Sequence, residues 1–436
     1  MLPAYEVADA AISRLSGPDL ERLQGERLRT MLRYVYDSSG FWRRKLDAAG
    51  VGPDEIRGVE DLAALPFTTR AELDAAQAEH PPFGDHTCAP PETWTWFFNT
   101  SGTSGRRLKL VRSRRDWRLL LDWFRRYPLN DRRDLVIILG PIDGLLGPTA
   151  SVEGIRGAGG IPVLAGLWDT RAKARAIAEV RPAVVSGVPS YVMHLSEVAA
   201  ELGIDLARCG VRSVHVLGEP GGSIPATRAA LEERFGARIV DGYGLSEVWP
   251  LALSCPFSET LHLNEDFVAV ECVDPETGEP VPEGEPGELV YTDLIGDSQP
   301  LLRYRSRDIA RLIRSTPCRC GHAMARIERI EGRTDDMIWY RGVNFFPSAV
   351  EEVVRRHPGL APEYRIVLDR GTASLPTVTI QVEALGEAPA DAVDPLRESV
   401  LGELRTALGV APQVDVLAPG ALPRTERGKA RRVVER

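Results

Sequence analysis

Residues 237–247 read Ala-Arg-Ile-Val-Asp-Gly-Tyr-Gly-Leu-Ser-Glu: an apolar run ending in an acid, two glycines flanking an aromatic, then Ser246 and Glu247. A short apolar run closed by a glycine turn is the pattern of a buried strand that ends at a tight loop. The pattern recurs upstream in DLVIILG (134–140), GIPVLAG (160–166), PAVVSGVP (182–189) and VHVLGEPGG (214–222). Helical stretches lie between several of these runs, among them TRAKARAIAEVR (170–181) and PATRAALEERFG (225–236). That alternation predicts an α/β region of mostly parallel strands with crossover helices over roughly residues 95–330. Such sheets bind ligands at the carboxyl ends of their strands, where Gly218–Gly222 and Gly242–Gly244 fall.

The pattern changes on both sides. Residues 1 to about 80 read as helices with turns between them, as in ERLQGERLRTMLRYVYDSS (21–39) and SGFWRRKLDAAGV (39–51). From about residue 262, DFVAVECVDPETGEPVPEGEPGELVYTDL predicts antiparallel strands joined by Pro/Gly turns, a β-subdomain over about 255–330. After GRTDD (332–336) comes a helix (FPSAVEEVVRRHP), strands YRIVLDR and LPTVTIQVEA, a helix beginning at Pro395 (PLRESVLGELRTALG) and a strand (QVDVLAPG). The expected division is a large N-terminal domain, residues 1–334, and a small mobile α+β domain, residues 335–436.

Composition narrows the class. The chain has 436 residues, 43% hydrophobic and 26% charged, with a formal net charge of -9. That balance is ordinary for a soluble globular protein and offers no electrostatic reason to expect nucleic acid or an anionic membrane as partner. No apolar run approaches the roughly 18 residues that would span a bilayer. The opening MLPAYEVADAAISRL carries acids and lacks a basic start before an apolar stretch, which is not the pattern of a signal peptide. Six cysteines in a chain of this size form no disulfide framework, so a cytoplasmic enzyme is expected.

Four motifs carry residue types suited to phosphate chemistry. Asn99 is followed by Thr100-Ser101-Gly102-Thr103-Ser104-Gly105, where glycines let backbone N–H groups converge on an anion and hydroxyls add donors. A plain surface turn reads the same, and the Walker pattern is absent. Glu247, after Asp241-Gly242-Tyr243-Gly244, could hold Mg²⁺, or Ser246 and Glu247 could simply cap a helix. Asp308, closing LLRYRSRD (301–308), could accept both ribose hydroxyls, or belong to a salt-bridged strand edge. Lys429, in PRTERGK (423–429), could be a catalytic ammonium or solvated charge on a basic, mobile tail.

The order of these motifs decides between the readings. A hydroxyl-glycine loop, GEP, DGYGLSE, RYRSRD, GRTDDMIWYRGVNFFPSAVEE and PRTERGK follow the series of the adenylate-forming superfamily. With VEDLAALPFTT (59–69), DPETGEPVPEGEPGELV and RGVNFFPS (341–348), nearly the whole chain resembles the phenylacetate–CoA ligases. The resemblance implies ATP-dependent formation of an acyl-adenylate from an aryl carboxylic acid, then transfer to the thiol of CoA or of a carrier-protein phosphopantetheine. It also implies that Thr100 to Gly105 wrap the β- and γ-phosphates. Glu219 and Pro220 would line the adenine and acyl pockets, and Asp241 to Gly244 the adenine and α-phosphate, with Ser246 and Arg333 also at the nucleotide. Glu247 would hold Mg²⁺, Asp308 the ribose, and Lys429 the carboxylate and α-phosphate. Asp335 would be the hinge that withdraws Lys429 and presents Arg341 to Asn344 to the pantetheine arm. Ile142, Asp143, Gly144, Ser186 and Gly218 would line the acyl pocket. An anion at Asp143 predicts an acid bearing an amino or hydroxyl group.

Cys255 and His262, with six residues between them, and Cys318-Arg319-Cys320 supply a tetrahedral zinc set of three Cys and one His, with His322 as a substitute ligand. Zinc there would staple the β-subdomain. Two other readings keep the motifs but change the outcome: activation of a different oxyanion, or a nucleotide sensor without catalysis, against which stands the intact set Glu247, Asp308 and Lys429. A homodimer is compatible with the sequence.

Overall fold

The computed structural model describes residues 2–100, 107–127, 130–142, 144–369, 377–386, 389–425 and 429–436. The expected phosphate-loop residues Ser101, Gly102, Thr103, Ser104 and Gly105, and Asp143, lie outside the described residues. The chain forms two compact units: Met1–Val136 with Pro141–Val163 and Gly242–Glu328, and Ile137–Gly140 with Leu164–Asp241 and Arg329–Arg436.

In the first unit, helices Gly17–Ser38, Gly40–Ala49 and Arg70–Glu79 precede an antiparallel hairpin, Trp94–Asn99 with Lys109–Ser113. The helix Gly40–Ala49 starts on the Ser39 hydroxyl and stops at Gly50, whose left-handed φ of 68° suits glycine. Strands Val268–Val273, Pro286–Asp293 and Tyr304–Ile313 pair antiparallel, as do Pro250–Cys255 and Ser258–Leu263. The strand Pro286–Asp293 is buried on both faces, and Leu289, Val290, Tyr291, Ala310 and Leu263 lie fully inside.

One buried charge cluster ties this unit together. Asp266 takes a two-pronged grip from Arg126, at 3.0 and 3.2 Å, and faces Arg27 at 3.7 Å, with all three side chains almost fully buried. Removing one partner of a buried pair leaves an uncompensated charge, so Asp266→Ala should cost about 3–5 kcal/mol. Urea unfolding of the variant checks this; a loss under about 1 kcal/mol would show the arginines to be solvated instead.

In the second unit, strands Val184–Gly187 and Ser213–Leu217 pair in parallel, with Val184 opposite Ser213 and Gly187 opposite Val216. Helices Thr170–Val180, Pro189–Glu201 and Pro225–Phe235 follow the strands as the alternation predicts. The C-terminal part is a four-stranded sheet in the order Gln413–Leu417, Thr377–Ala384, Leu360–Asp369, Val433–Glu435, with an antiparallel centre and parallel edges. Helices Pro347–Arg356 and Ala390–Leu408 pack on it through Val350, Val354, Val400 and Leu404 against Ile366, Ile380 and Val382.

Three local readings change. The helix read from Pro395 begins at Ala390, leaving the proline inside its second turn. Residues after Gly244 form a turn into the strand Pro250–Cys255 rather than a helix, so Ser246 and Glu247 cap nothing. The basic tail returns to the sheet as the edge strand Val433–Glu435, and Arg424 and Arg432 are paired rather than merely solvated.

Candidate active site

Thr69 and Glu72 form a reciprocal capping box that starts the helix Arg70–Glu79, placing Arg70 in its first turn. From there the Arg70 guanidinium reaches Glu247 Oε1 at 3.1 Å, Thr100 Oγ1 at 3.4 Å and Asp74 Oδ2 at 3.1 Å. Thr100 is fixed in turn, its hydroxyl accepting the Leu108 N–H at 3.1 Å. Two predicted site residues, Thr100 and Glu247, are thereby linked through an arginine that the motif reading passed over, although it directly follows PFTT.

Arg112, buried on the strand Lys109–Ser113, donates to the carbonyls of Ser246 at 2.7 Å and Val248 at 3.1 Å. These flank Glu247 and hold its backbone in place. Gly244 permits the turn to fold back: a Cβ there would lie 2.8 Å from the Trp249 carbonyl oxygen. Tyr243 donates its hydroxyl to Asp308 Oδ2 at 2.7 Å, and Tyr291 donates to Tyr243 at 3.4 Å. Burial, and then the Asp308 charge, push the Tyr243 hydroxyl well above its usual range, so it remains a donor. Arg303, just before the strand Tyr304–Ile313, grips Glu271, and Arg305 within it pairs with Glu288, so the salt-bridged reading of RYRSRD holds for these two arginines while the aspartate faces a tyrosine. Gly144 receives the Asn99 N–H on its carbonyl at 2.9 Å, and Ile142 is 40% exposed.

In the second unit, Gly218 has φ of 97°, and a Cβ there would lie 3.5 Å from Lys429 Cε. Glu219 accepts the Ser190 N–H at 2.7 Å and the Ala430 N–H at 3.2 Å. Burial raises the Glu219 carboxyl above its ordinary range, and the hydrogen bonds from Ser190 oppose that shift. Pro220 beside it is half-buried. Asp241 is buried against Gly222, where a Cβ would come within 2.5 Å of its carboxyl carbon. The Ser186 carbonyl accepts the Leu139 N–H at 2.8 Å. Arg333 and Asp335 form a half-exposed ion pair at 3.0 Å.

Cys255, His262, Cys318 and Cys320 converge, their ligand atoms all within 4.8 Å of one another. Cys255 and His262 stand on paired antiparallel strands, and the cysteines 318 and 320 on a tight turn closed by Gly321 N–H to the Cys318 carbonyl. The Cys255 and Cys318 sulfurs are 3.7 Å apart and Cys320 Sγ lies 3.8 Å from His262 Nδ1. A zinc–sulfur bond of about 2.3 Å gives a tetrahedral edge of about 3.8 Å, so the donor set fits zinc. His322 stacks on His262, ring centres 4.5 Å apart, rather than joining the four. Burial pushes His262 down to about 4, the neutral form a metal requires.

The AMP-binding enzyme family matches residues 22–293, and the AMP-binding enzyme C-terminal domain matches residues 342–436. The chain belongs to this adenylate-forming family and is an AMP-forming acid–CoA ligase, using ATP to activate an acid and CoA to receive the acyl group. It is 34% identical to the phenylacetate-coenzyme A ligase of Aromatoleum evansii over 98% of this chain and 96% of that one. The phenylacetate-coenzyme A ligase of Escherichia coli K12 is also 34% identical, over 97% and 96%. Among solved structures, 2-hydroxyisobutyryl-CoA ligase in the postadenylation state with an acyl-AMP superimposes with a TM-score of 0.92 at 28% identity, covering 100% of this chain and 94% of that one. Among the described residues, no helix is long and apolar enough to cross a membrane.

Proposed function

We propose that the acid is an aryl carboxylic acid of the phenylacetate class. The observation that carries this is the 34% identity with phenylacetate-coenzyme A ligases over nearly the full length of both chains. ATP–pyrophosphate exchange across phenylacetates, benzoates and cinnamates, with and without amino or hydroxyl substituents, tests it. Exchange with 2-hydroxyisobutyrate and none of the aryl acids would overturn it. CoA is the acceptor in this reading, and the same assay run with a carrier protein separates that alternative. Cytoplasmic location follows from where ATP and CoA are met.

The residue roles are proposed as follows. Glu247 holds Mg²⁺, which supplies charge neutralisation at the phosphates when bound. Arg70 and Thr100 donate to the same phosphates, with Ser101 to Gly105 completing the loop. Tyr243 orients Asp308, which accepts the ribose hydroxyls, and Lys429 meets the carboxylate and α-phosphate. The division at Asp335, between 1–334 and 335–436, serves to exchange Lys429 for the Arg341–Asn344 face between half-reactions. Zinc held by Cys255, His262, Cys318 and Cys320 is structural, since four protein ligands leave no open position.

Asp308→Ala should raise the KM for ATP about 10- to 100-fold, the worth of a pair of charge-assisted hydrogen bonds. Tyr243→Phe, which keeps the carboxylate, should change it far less. An unchanged KM for ATP in Asp308→Ala would show that the aspartate does not carry the contact.

A further inference from the structure

Glu219 sits where two parts of the second unit meet, and its two carboxylate oxygens are divided between them. Oε1 takes the N–H of Ser190, in the first turn of the helix Pro189–Glu201. Oε2 takes the N–H of Ala430, the residue next to Lys429. The neighbouring Gly218 leaves room for the lysine stem, which passes 3.5 Å from where its Cβ would stand. The lysine's own segment is pinned at both ends to the C-terminal sheet. On one side Arg424 pairs with the fully buried Glu383, at 2.7 and 2.9 Å. On the other, Arg432 donates to the Tyr364 carbonyl at 3.1 Å and pairs with Glu363.

A second contact has the same character. The helix Pro225–Phe235 has no side-chain cap of its own; its first-turn Ala226 N–H is taken by Glu352 at 3.2 Å and its Thr227 hydroxyl donates to Glu351 at 2.8 Å. Both acids belong to the helix Pro347–Arg356. In each contact one partner belongs to residues 335–436 and the other to the Leu164–Asp241 part of the same unit.

We infer that Glu219 is a positioning residue for the first half-reaction: by gripping the Ala430 amide it sets the Lys429 ammonium in its working place, and it lets go when the terminal segment turns for thioester formation. This rests on the role proposed for Lys429 and replaces a pocket-lining role for Glu219 with a mechanical one. A misplacement near 1 Å can cost about 100-fold in rate, so one amide–carboxylate grip is enough to matter.

The test measures Glu219→Ala, Glu219→Gln and Lys429→Ala in two assays: ATP–pyrophosphate exchange with phenylacetate, and thioester formation from synthetic phenylacetyl-adenylate and CoA. The glutamine has one acceptor oxygen for two N–H donors and keeps the shape, so it stays informative if the alanine variant folds poorly. Both Glu219 variants should lower kcat for exchange about 10- to 100-fold with the KM for ATP within about twofold, and leave thioester formation unchanged or faster. A raised KM for ATP with kcat intact would mean that Glu219 lines the nucleotide pocket, and equal loss in both assays would mean a merely structural role; either overturns the inference. If Lys429→Ala blocks exchange and the Glu219 variants do not, the inference fails while the reading of Lys429 stands. If Lys429→Ala exchanges normally, that reading fails and takes the inference with it.

Discussion

Lys429→Ala is expected to lower ATP–pyrophosphate exchange about 100- to 1000-fold while leaving acyl transfer from a supplied acyl-adenylate to CoA within about twofold of the wild type. The asymmetry follows from where charge builds. Attack of a carboxylate on the α-phosphate brings two anions together, and negative charge grows on the phosphoryl oxygens in the transition state. An ammonium placed there stabilises that state more than the ground state. In the second step the nucleophile is a thiol and the leaving group is AMP, so a cation at the carboxylate has less to do. Lys429 is exposed while Arg424 and Arg432 anchor the chain on either side, so its truncation should remove charge without unfolding the tail. An unchanged melting temperature is therefore part of the expected result. Parallel loss in both half-reactions would sink the exchange of roles about Asp335.

The strands and their glycine turns were legible because burial on both faces writes a near-continuous apolar run, and a left-handed turn such as that at Gly218 demands glycine. Motif order carried the function further than any single motif did. What stayed hidden was pairing across long separations. Arg70 meets Glu247 over 177 positions, and nothing in PFTTR marks that arginine as different from any other surface charge. Arg112 reads as one more residue in an apolar strand, yet its value lies in two carbonyls more than 130 positions away. The edge strand Val433–Glu435 is three residues long and flanked by arginines, too short to show a period of two. Arg424 looked like free charge because its partner Glu383 sits on a strand 41 positions upstream. Local pattern reports local structure, whereas a buried ion pair is a property of the folded chain.

The four-residue cluster in the first unit was legible for the opposite reason: metal ligands are chemically distinctive even when 55 residues separate the two pairs. The purified protein should carry about one zinc per chain, and Cys318→Ser should both empty the site and lower the melting temperature by roughly 6–12 °C, corresponding to about 3 kcal/mol. The four side chains bring the hairpin Pro250–Cys255 and Ser258–Leu263 to the turn at residues 318–321, so an ion held there would tie together segments far apart along the chain. A disulfide is the competing explanation for close cysteines. It needs sulfurs about 2.05 Å apart, whereas Cys255 and Cys318 stand at 3.7 Å with His262 Nδ1 facing the same centre. A disulfide would also leave Cys320 and His262 without a purpose. Chelation should therefore destabilise the protein to the same extent as Cys318→Ser, and reducing agent should not. Wild-type protein that holds no zinc after reconstitution, together with an unchanged melting temperature in the Cys318→Ser variant, would leave the cluster as four unrelated side chains.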